Sequence, residues 1–239
     1  MSQQPSDLLG SPRINRRDFV LFFTVGLFMV SLVVAAVTAV KIQSIDIFGF
    51  VLLVPAGSLA FGLTYLATDV ISEVWGRASA LMVLLAGLAL RFVMLLLFLY
   101  AMYGEYVFGF IGVAESWSPE RQDAFLSILG SSNRINIAGM IAFAISALTD
   151  IYIFDRLRRL QAGKNRLWLR NNISTMVSQI LNSTVFVIAA FGWTMGWGAI
   201  GSLILGQIVI KLAVAAIDTP LIYFLRNLAL GRKLFDFRG

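Results

Sequence analysis

Residues 171–191 read NNISTMVSQILNSTVFVIAAF, a run that is apolar enough to cross a bilayer and yet carries a stripe of amides and hydroxyls. At helical spacing one side of this segment holds Asn171, Ser174, Thr175, Ser178, Gln179, Asn182 and Ser183. Unpaired polar groups are unfavourable in hydrocarbon, so the stripe is expected to face protein, water or a ligand. Helix–helix packing is the alternative explanation. The two carboxamides in the middle of the helix favour a substrate-lining face.

The composition is that of an integral membrane protein. Of the 239 residues, 59% are hydrophobic and 13% are charged, and the mean hydropathy is +0.83. A soluble domain has about a quarter charged residues. The chain has no cysteine and no histidine, which removes thiolate chemistry, a Ser-His triad and the usual proton shuttle at neutral pH. These absences argue against an enzyme, and neither a cofactor nor a metal site is predicted.

Five further apolar segments flank the opening stretch, each long enough to span a bilayer. They are 19–40, 47–68, 78–104, 135–154 and 199–225. The sequence therefore predicts an all-α integral membrane protein with six transmembrane helices. Residues 1–17 are predicted to be a disordered cytoplasmic tail, 18–228 a single six-helix transmembrane domain, and 229–239 a cytoplasmic C-terminal tail.

The orientation follows from the basic residues, most of which fall on one side of the membrane if the N-terminus is cytoplasmic. Both termini are therefore predicted to be cytoplasmic. The net charge of +6 is explained by topology, and no nucleic-acid partner is predicted. On the outer side, Ser118-Pro119 has the pattern of a helix start. A short extracytoplasmic helix between helices three and four is predicted to follow, closed by Gly130.

Two cations, Arg91 and Lys211, lie near the middle of predicted spans. Charges at such depth are unfavourable, rare and usually functional. The alternative is an intramembrane ion pair that serves packing. Gln207 lies one turn before Lys211, so an amide and a cation should project together.

Three aspartates close the segments that run from the outside to the inside: Asp69, Asp150 and Asp218. They could bind a donor-rich ligand, carry protons or pair with arginines of the inner loops. Asp218 is the strongest of the three, since Pro220 loosens the helix beside it. Glu73 with Arg77 fits an ordinary i,i+4 pair at a solvated helix end.

Four stretches together resemble one family. They are ATDVISEVWGR (67–77), NRINIAGMIAFAISALTDIYIFDRLR (133–158), WLRNNISTMVSQILNSTVFVIAAF (168–191) and IKLAVAAIDTPLIY (210–223). They are similar to the queuosine precursor transporter family, which is also known as a vitamin uptake transporter family. The resemblance implies a multi-pass protein of the bacterial inner (plasma) membrane that imports 7-cyano- or 7-aminomethyl-7-deazaguanine, or a related deazapurine, for transfer RNA modification.

The resemblance also implies which residues function. Residues that match the family pattern are Asp69, Glu73, Gly76, Arg134, Asp150, Ser174, Thr175, Gln179, Asn182, Lys211 and Asp218. Members often have Asp at the position of Asn182, so a carboxylate expected there is a neutral amide in this chain. Asp69, Glu73, Asp150 and Arg134 are candidates for gating or ion coupling.

The chemistry of the remaining candidates suits a deazaguanine. Amide oxygens match its N–H donors, while lysine, arginine or an amide nitrogen matches its carbonyl oxygen. An aromatic ring such as that of Phe186, Phe61 or Tyr65 could stack on the base. The predicted substrate-binding residues are Gln179, Asn182, Gln207, Lys211, Asp218, Arg91, Ser178 and Phe186.

The sequence leaves two rival functions open. One is a substrate-capture subunit of an ATP-driven vitamin uptake system, for which an ATPase should co-purify. The other is a membrane enzyme, for which the chain lacks the usual catalytic residues. The expected partners are a small deazapurine and the lipid bilayer, and homodimer formation is left open.

Overall fold

The structure of this chain is a computed structural model that describes residues 15–47, 49–114, 116–160 and 167–232. Within these ranges some side chains are left undescribed, among them those of Arg77, Asp150, Asn171, Ser174, Thr175 and Asp218. The described backbone forms six helices and one two-stranded antiparallel sheet. The elements in order are α1 (Arg16–Thr38), β1 (Ile42–Ile47), β2 (Phe50–Pro55), α2 (Gly57–Trp75), α3 (Arg77–Val107), α4 (Pro119–Leu160), α5 (Leu167–Phe191) and α6 (Trp197–Leu230).

The protein is a mostly helical, multi-pass membrane protein. Within the described residues, four stretches are long and apolar enough to cross a membrane: Arg16–Thr38, Ala78–Val107, Pro119–Ser146 and Trp197–Val214. Met176–Phe191 and Pro220–Leu230 are shorter apolar stretches. The count of six spans and the cytoplasmic placement of both termini stay predictions. So do the two tails, since residues 1–14 and 233–239 lie outside the described residues.

The connection between α1 and α2 corrects the sequence prediction. Residues 47–68 were predicted to be one helix, but their first part is strand β2, which pairs with β1 in the register Ile42 with Pro55. The turn contains Gly49, whose φ of 87° suits glycine and whose N–H donates to the Asp46 carboxylate over 2.8 Å. Pairing the strands satisfies backbone groups that hydrocarbon would leave unpaired. The expectation of an all-helical chain therefore omitted a hairpin.

The hairpin packs on α6 through a close backbone approach. The Leu53 N–H donates to the Ser202 hydroxyl over 2.9 Å, and a Cβ on Gly206 would collide with the Leu53 carbonyl oxygen. Glycine is required there because any side chain would push strand and helix apart. This contact fixes the end of β2, and with it Pro55, beside the central part of the molecule.

The prediction of a separate short helix ending at Gly130 is wrong. Ser118 does precede a helix start, since its hydroxyl accepts the Arg121 N–H over 3.4 Å. From Pro119, however, α4 runs without a break through Gly130 to Leu160. A single glycine weakens a helix by only about 1 kcal/mol relative to alanine, and the flanking residues of α4 outweigh that.

The helices pack around a shared interior. One buried cluster joins α4, α5 and α6 with Ala39, the residue that follows α1, and its other members include Ile135, Val187, Phe191 and Leu203. A second cluster, around Val20, Leu66, Val70 and Ala229, joins α1, α2 and α6. The six helices also enclose a cavity, whose wall includes Ala39 and Ile135 of the first cluster.

Candidate functional site

The cavity has a volume of about 280 Å³ and is lined by residues from all six helices. That volume lies just below the usual range for small-molecule sites, about 300–1,000 Å³. Its apolar walls come from Phe28, Leu32, Ala35, Ala36, Ala39, Pro55, Phe61, Leu84, Leu88, Ile135, Phe143 and Phe186. Its polar lining comes from Ser58, Thr64, Tyr65, Thr68, Arg91, Ser146, Ser178, Gln179, Asn182, Gln207 and Lys211.

The centre of the polar wall is the Lys211 ammonium group. It donates to the Ser183 hydroxyl over 2.8 Å, to the Gln179 side-chain oxygen over 3.3 Å and to the Asn182 side-chain oxygen over 3.4 Å. These three acceptors come from one side of α5, because Asn182 and Ser183 lie three and four residues after Gln179. An ammonium group has three N–H donors, so all of them are occupied. The polar stripe of α5 and the cation of α6 therefore form one cluster.

The two carboxamides of this cluster are held by further bonds. The Tyr65 hydroxyl of α2 donates to the same Gln179 oxygen over 3.0 Å. The Asn182 amide nitrogen donates to the Ser146 hydroxyl of α4 over 3.0 Å. Four helices thus orient two amides so that both oxygens point to Lys211.

Lys211 has no carboxylate partner among the described side chains, whereas Arg226 of the same helix pairs with Glu73. Its neighbours are neutral, and its nitrogen also lies 6.0 Å from the centre of the Phe61 ring. An ammonium group surrounded only by neutral dipoles is poorly compensated compared with one in an ion pair. The structure therefore gives no support to an ion pair that serves packing, within the part of the chain that it describes.

The second cation, Arg91 of α3, is clamped by α4. Its Nε donates to the Asn136 side-chain oxygen over 2.8 Å, and the Asn136 amide nitrogen donates back to the Arg91 carbonyl over 3.0 Å. Asn136 is fully buried. The terminal guanidinium nitrogens lie beside Gly139, where a Cβ would come within 2.6 Å of Nη2. Because glycine has no Cβ, Gly139 leaves room for the guanidinium in the cavity wall.

Three more predicted residues line the same cavity. Gln207 is 8% exposed, one turn before Lys211, and no hydrogen bond to its side chain is found among the described residues. Ser178 is buried on the polar face of α5. Phe186 adds an aromatic wall, and its ring meets that of Phe191 edge to face. The structure thus brings Gln179, Asn182, Gln207, Lys211, Arg91, Ser178 and Phe186 together.

The remaining predicted residues lie away from the cavity, or their side chains are not among those that the structure describes. Glu73 of α2 pairs with Arg226 of α6 over 3.2 Å, a partner that the sequence did not suggest. Asp69 is exposed on α2. Arg134 lines a separate groove beside α4. The side chains of Asp150 and Asp218 fall outside the described residues, so their predicted roles stay predictions.

Sequence reasoning missed several partners. Asn136 and Ser146 of α4 were not selected, although each is a polar residue inside a largely apolar helix. Ser183 was placed on the polar stripe but not among the binding residues, and it makes the shortest bond to Lys211. The signal for Asn136 was its spacing of three from Asn133, which marks a second polar stripe.

Comparison with known proteins identifies the family of this chain. A family model described as "Putative vitamin uptake transporter" matches residues 55–225, which is more than half of the chain. The chain belongs to this transporter family. The match covers the polar cluster, both cations, all of α2, α3, α4 and α5, and α6 as far as residue 225. The family predicted from the four quoted stretches is thereby confirmed.

Two relatives carry matching names. A protein of Bacillus subtilis (strain 168) named "Probable queuosine precursor transporter" is 29% identical over 182 residues, 76% of this chain and 75% of that protein. A protein of Escherichia coli (strain K12) named "Queuosine precursor transporter" is 24% identical over 135 residues, 56% of this chain and 54% of that protein. No solved structure matches the chain.

Proposed function

We propose that this transporter imports a queuosine precursor, a 7-deazaguanine base, across the bacterial inner membrane. The names of the two relatives support the substrate class. The observation that carries the proposal is the Lys211 ammonium group held by the side-chain oxygens of Gln179 and Asn182 in a cavity of base-sized volume. Amides and a cation are the groups that recognise the edge of a guanine-like base.

Substrate would bind by exchanging hydrogen bonds with this cluster. The two longer Lys211 contacts, 3.3 and 3.4 Å, are weaker than the 2.8 Å bond to Ser183. A base carbonyl that accepts from the ammonium group would replace them. The freed oxygens of Gln179 and Asn182 would then accept the ring N–H and the exocyclic amine. Both freed amide oxygens would regain a donor and at least one of the two freed ammonium N–H groups would regain an acceptor, which limits the desolvation penalty of binding.

The flat faces of the base would lie against the aromatic walls. Phe61 and Tyr65 of α2 meet edge to face with ring centres 5.4 Å apart, and Phe186 lines the cavity from α5. Stacking of a base on an aromatic side chain contributes about 1–3 kcal/mol. Tyr65 also links the stack to the polar cluster through its bond to Gln179.

The charge of the cavity favours a neutral base over a cationic one. Two cations, Arg91 and Lys211, line it, and no carboxylate is found among its described lining residues. The 7-cyano base is neutral and its nitrile is an acceptor, whereas the 7-aminomethyl base carries an ammonium group at neutral pH. Like charges disfavour each other in a low-dielectric site. The 7-cyano base is therefore the preferred substrate in this proposal.

Transport also requires that the site open to each side in turn, and we place part of the inner gate at the Glu73–Arg226 pair. This pair joins the ends of α2 and α6 that lie beyond Tyr65 and Lys211, two residues of the polar cluster. Pro220 interrupts the hydrogen-bonding of α6 between Lys211 and Arg226. Movement about this position would separate the ion pair without disturbing the outer half of α6.

The test is uptake of labelled 7-cyano-7-deazaguanine into proteoliposomes that contain only the purified protein. Accumulation above protein-free vesicles, with no ATP present, supports the proposal. Unlabelled 7-cyano-7-deazaguanine, guanine and riboflavin are added as competitors. Only the deazaguanine should reduce uptake of the labelled base. If uptake requires ATP and a second protein, the chain is a capture subunit instead.

A further inference from the structure

A second concavity lies on the other side of α4 from the cavity. It is a groove of about 370 Å³ between α3, α4 and α5. We call it the lateral groove and define it by Tyr103, Asn133, Arg134, Ile137, Ile141 and Ala189. The cavity uses Ile135, Gly139 and Ser146 of α4, so the two sites occupy opposite faces of that helix.

The floor of the lateral groove carries an unpaired amide. Asn133 is 5% exposed, and both its side-chain nitrogen and its side-chain oxygen lack a hydrogen-bond partner. A buried carboxamide without partners is unfavourable, so such a group points to an absent ligand. It offers one acceptor and two N–H donors. Ester carbonyls and glycerol hydroxyls are partners that fit it.

A cation stands beside this amide at the rim of the groove. Arg134 is exposed, and no ion pair is found for it among the described residues. The other side chains that line the groove carry no charge. The groove therefore presents a positive rim, which is complementary to an anionic group such as a phosphate.

The remaining wall is apolar and faces outward. Ile137 and Ile141 are 43% and 45% exposed, on the face of α4 away from the cavity. Exposed aliphatic side chains on a membrane helix are suited to acyl chains. The groove thus combines a polar, positively charged end with an apolar run along the helix.

The position of the groove matches the headgroup level of a bilayer. Tyr103 lies in the last turns of α3, and Ala189 lies just before the end of α5. At the same end Trp193 and Trp197 are 90% and 77% exposed. Exposed tryptophan and tyrosine mark membrane–water interfaces. We therefore place Arg134, which lines the groove together with Tyr103, within reach of lipid phosphates.

We propose that the lateral groove binds an anionic phospholipid. The phosphate would pair with Arg134, the glycerol ester region would bond to the Asn133 amide, and one acyl chain would lie along Ile137 and Ile141. A second copy of this chain is the competing occupant, and the test separates the two.

The test measures lipid retention by the full-length protein in micelles that contain equal amounts of phosphatidylglycerol and phosphatidylcholine with identical acyl chains. Native mass spectrometry counts each bound lipid. Wild type should retain phosphatidylglycerol in about fivefold excess, the factor expected for one cation at an anionic lipid surface. Arg134→Gln should bring the two lipids close to equality. Arg121→Gln, a matched change of an exposed arginine outside the groove, should keep the excess.

A second variant tests the amide separately. Asn133→Leu should lower retention of both lipids, because the glycerol region is common to them. If that variant fails to fold, the Arg134→Gln comparison decides alone. Equal retention of the two lipids by wild type, or an unchanged excess in Arg134→Gln, would overturn the proposal. A protein dimer without bound lipid would also overturn it, in favour of a second copy.

Discussion

The Lys211 ammonium nitrogen lies 2.8 Å from the Ser183 hydroxyl oxygen, so a cation from α6 is inserted into the polar stripe of α5. Ser183 is fully buried, and its hydroxyl donates in turn to the main-chain carbonyl of Gln179 over 3.0 Å. The serine therefore positions the cation by accepting from it, while its own donor stays paired within the helix. The two amide oxygens remain as the exchangeable partners.

Replacement of Lys211 by methionine should strongly reduce transport without loss of the protein from the membrane. The variant removes a charge-assisted hydrogen bond to substrate, for which about a tenfold or greater fall in uptake is expected. Uptake of labelled 7-cyano-7-deazaguanine and the amount of protein in membranes should both be measured. Lys41→Met, a matched change of an exposed lysine before β1, is the control. Normal uptake by the Lys211 variant would show that the cavity does not bind the substrate.

Addition of one methyl group at Gly139 should disturb the second cation. The Cβ of Gly139→Ala would lie within 2.6 Å of Arg91 Nη2, so the guanidinium must move. Overpacking of this kind costs about 1–3 kcal/mol of folding stability, and displacement of the guanidinium from the cavity wall should weaken substrate binding. Gly130→Ala on the same helix has no atom within 4 Å of the new Cβ. It should leave binding unchanged, and equal behaviour of the two variants would contradict the role of Arg91.

Two asparagines three residues apart on α4 should differ in their effect on stability. Asn136→Ala removes both bonds to Arg91 and should lower the free energy of unfolding by about 2–3 kcal/mol. Asn133→Ala removes a side chain without partners among the described residues and should cause no loss in lipid-free detergent. Thermal unfolding of both variants in the same detergent gives the comparison. A larger loss at Asn133 would contradict the assignment of the Arg91 clamp.

The Glu73–Arg226 pair should matter to transport more than to stability. The Glu73 side chain is 50% exposed, so the pair stabilises the fold by less than about 1 kcal/mol. Glu73→Arg or Arg226→Glu alone should slow initial uptake, because each places like charges at the junction of α2 and α6. The double exchange should recover much of the rate. If it is as slow as the single variants, the pair is not part of a gate.

Much of the site could be predicted from the sequence because intramembrane polar residues are rare. Gln179, Asn182 and Lys211 stood out in apolar surroundings, and helical spacing placed the first two on one face. That Lys211 meets that face depended on how α5 and α6 pack, which a single sequence does not specify. The same holds for Asn136, whose importance is visible only through its contact with Arg91 of another helix.

The hairpin was missed for a different reason. Residues 50–55 are an apolar run, and a short apolar run fits a buried strand as well as a helix. This run is followed by the apolar first turns of α2, so strand and helix together had the length of one transmembrane span. The decisive interactions are non-local: the Ser202 hydroxyl accepts the Leu53 N–H, and Gly206 leaves room for the strand. For α4, the glycine at 130 was given more weight than one glycine has in a long helix.

Calorimetric titration of the purified protein with 7-cyano-7-deazaguanine, for wild type and for Lys211→Met, shows whether Lys211 belongs to a deazaguanine site. Wild type should bind this base saturably, bind the 7-aminomethyl base more weakly and not bind riboflavin. The Lys211 variant should bind the 7-cyano base at least about tenfold more weakly. Absence of saturable binding to wild type, or equal affinity in the two proteins, would contradict a deazaguanine site at Lys211.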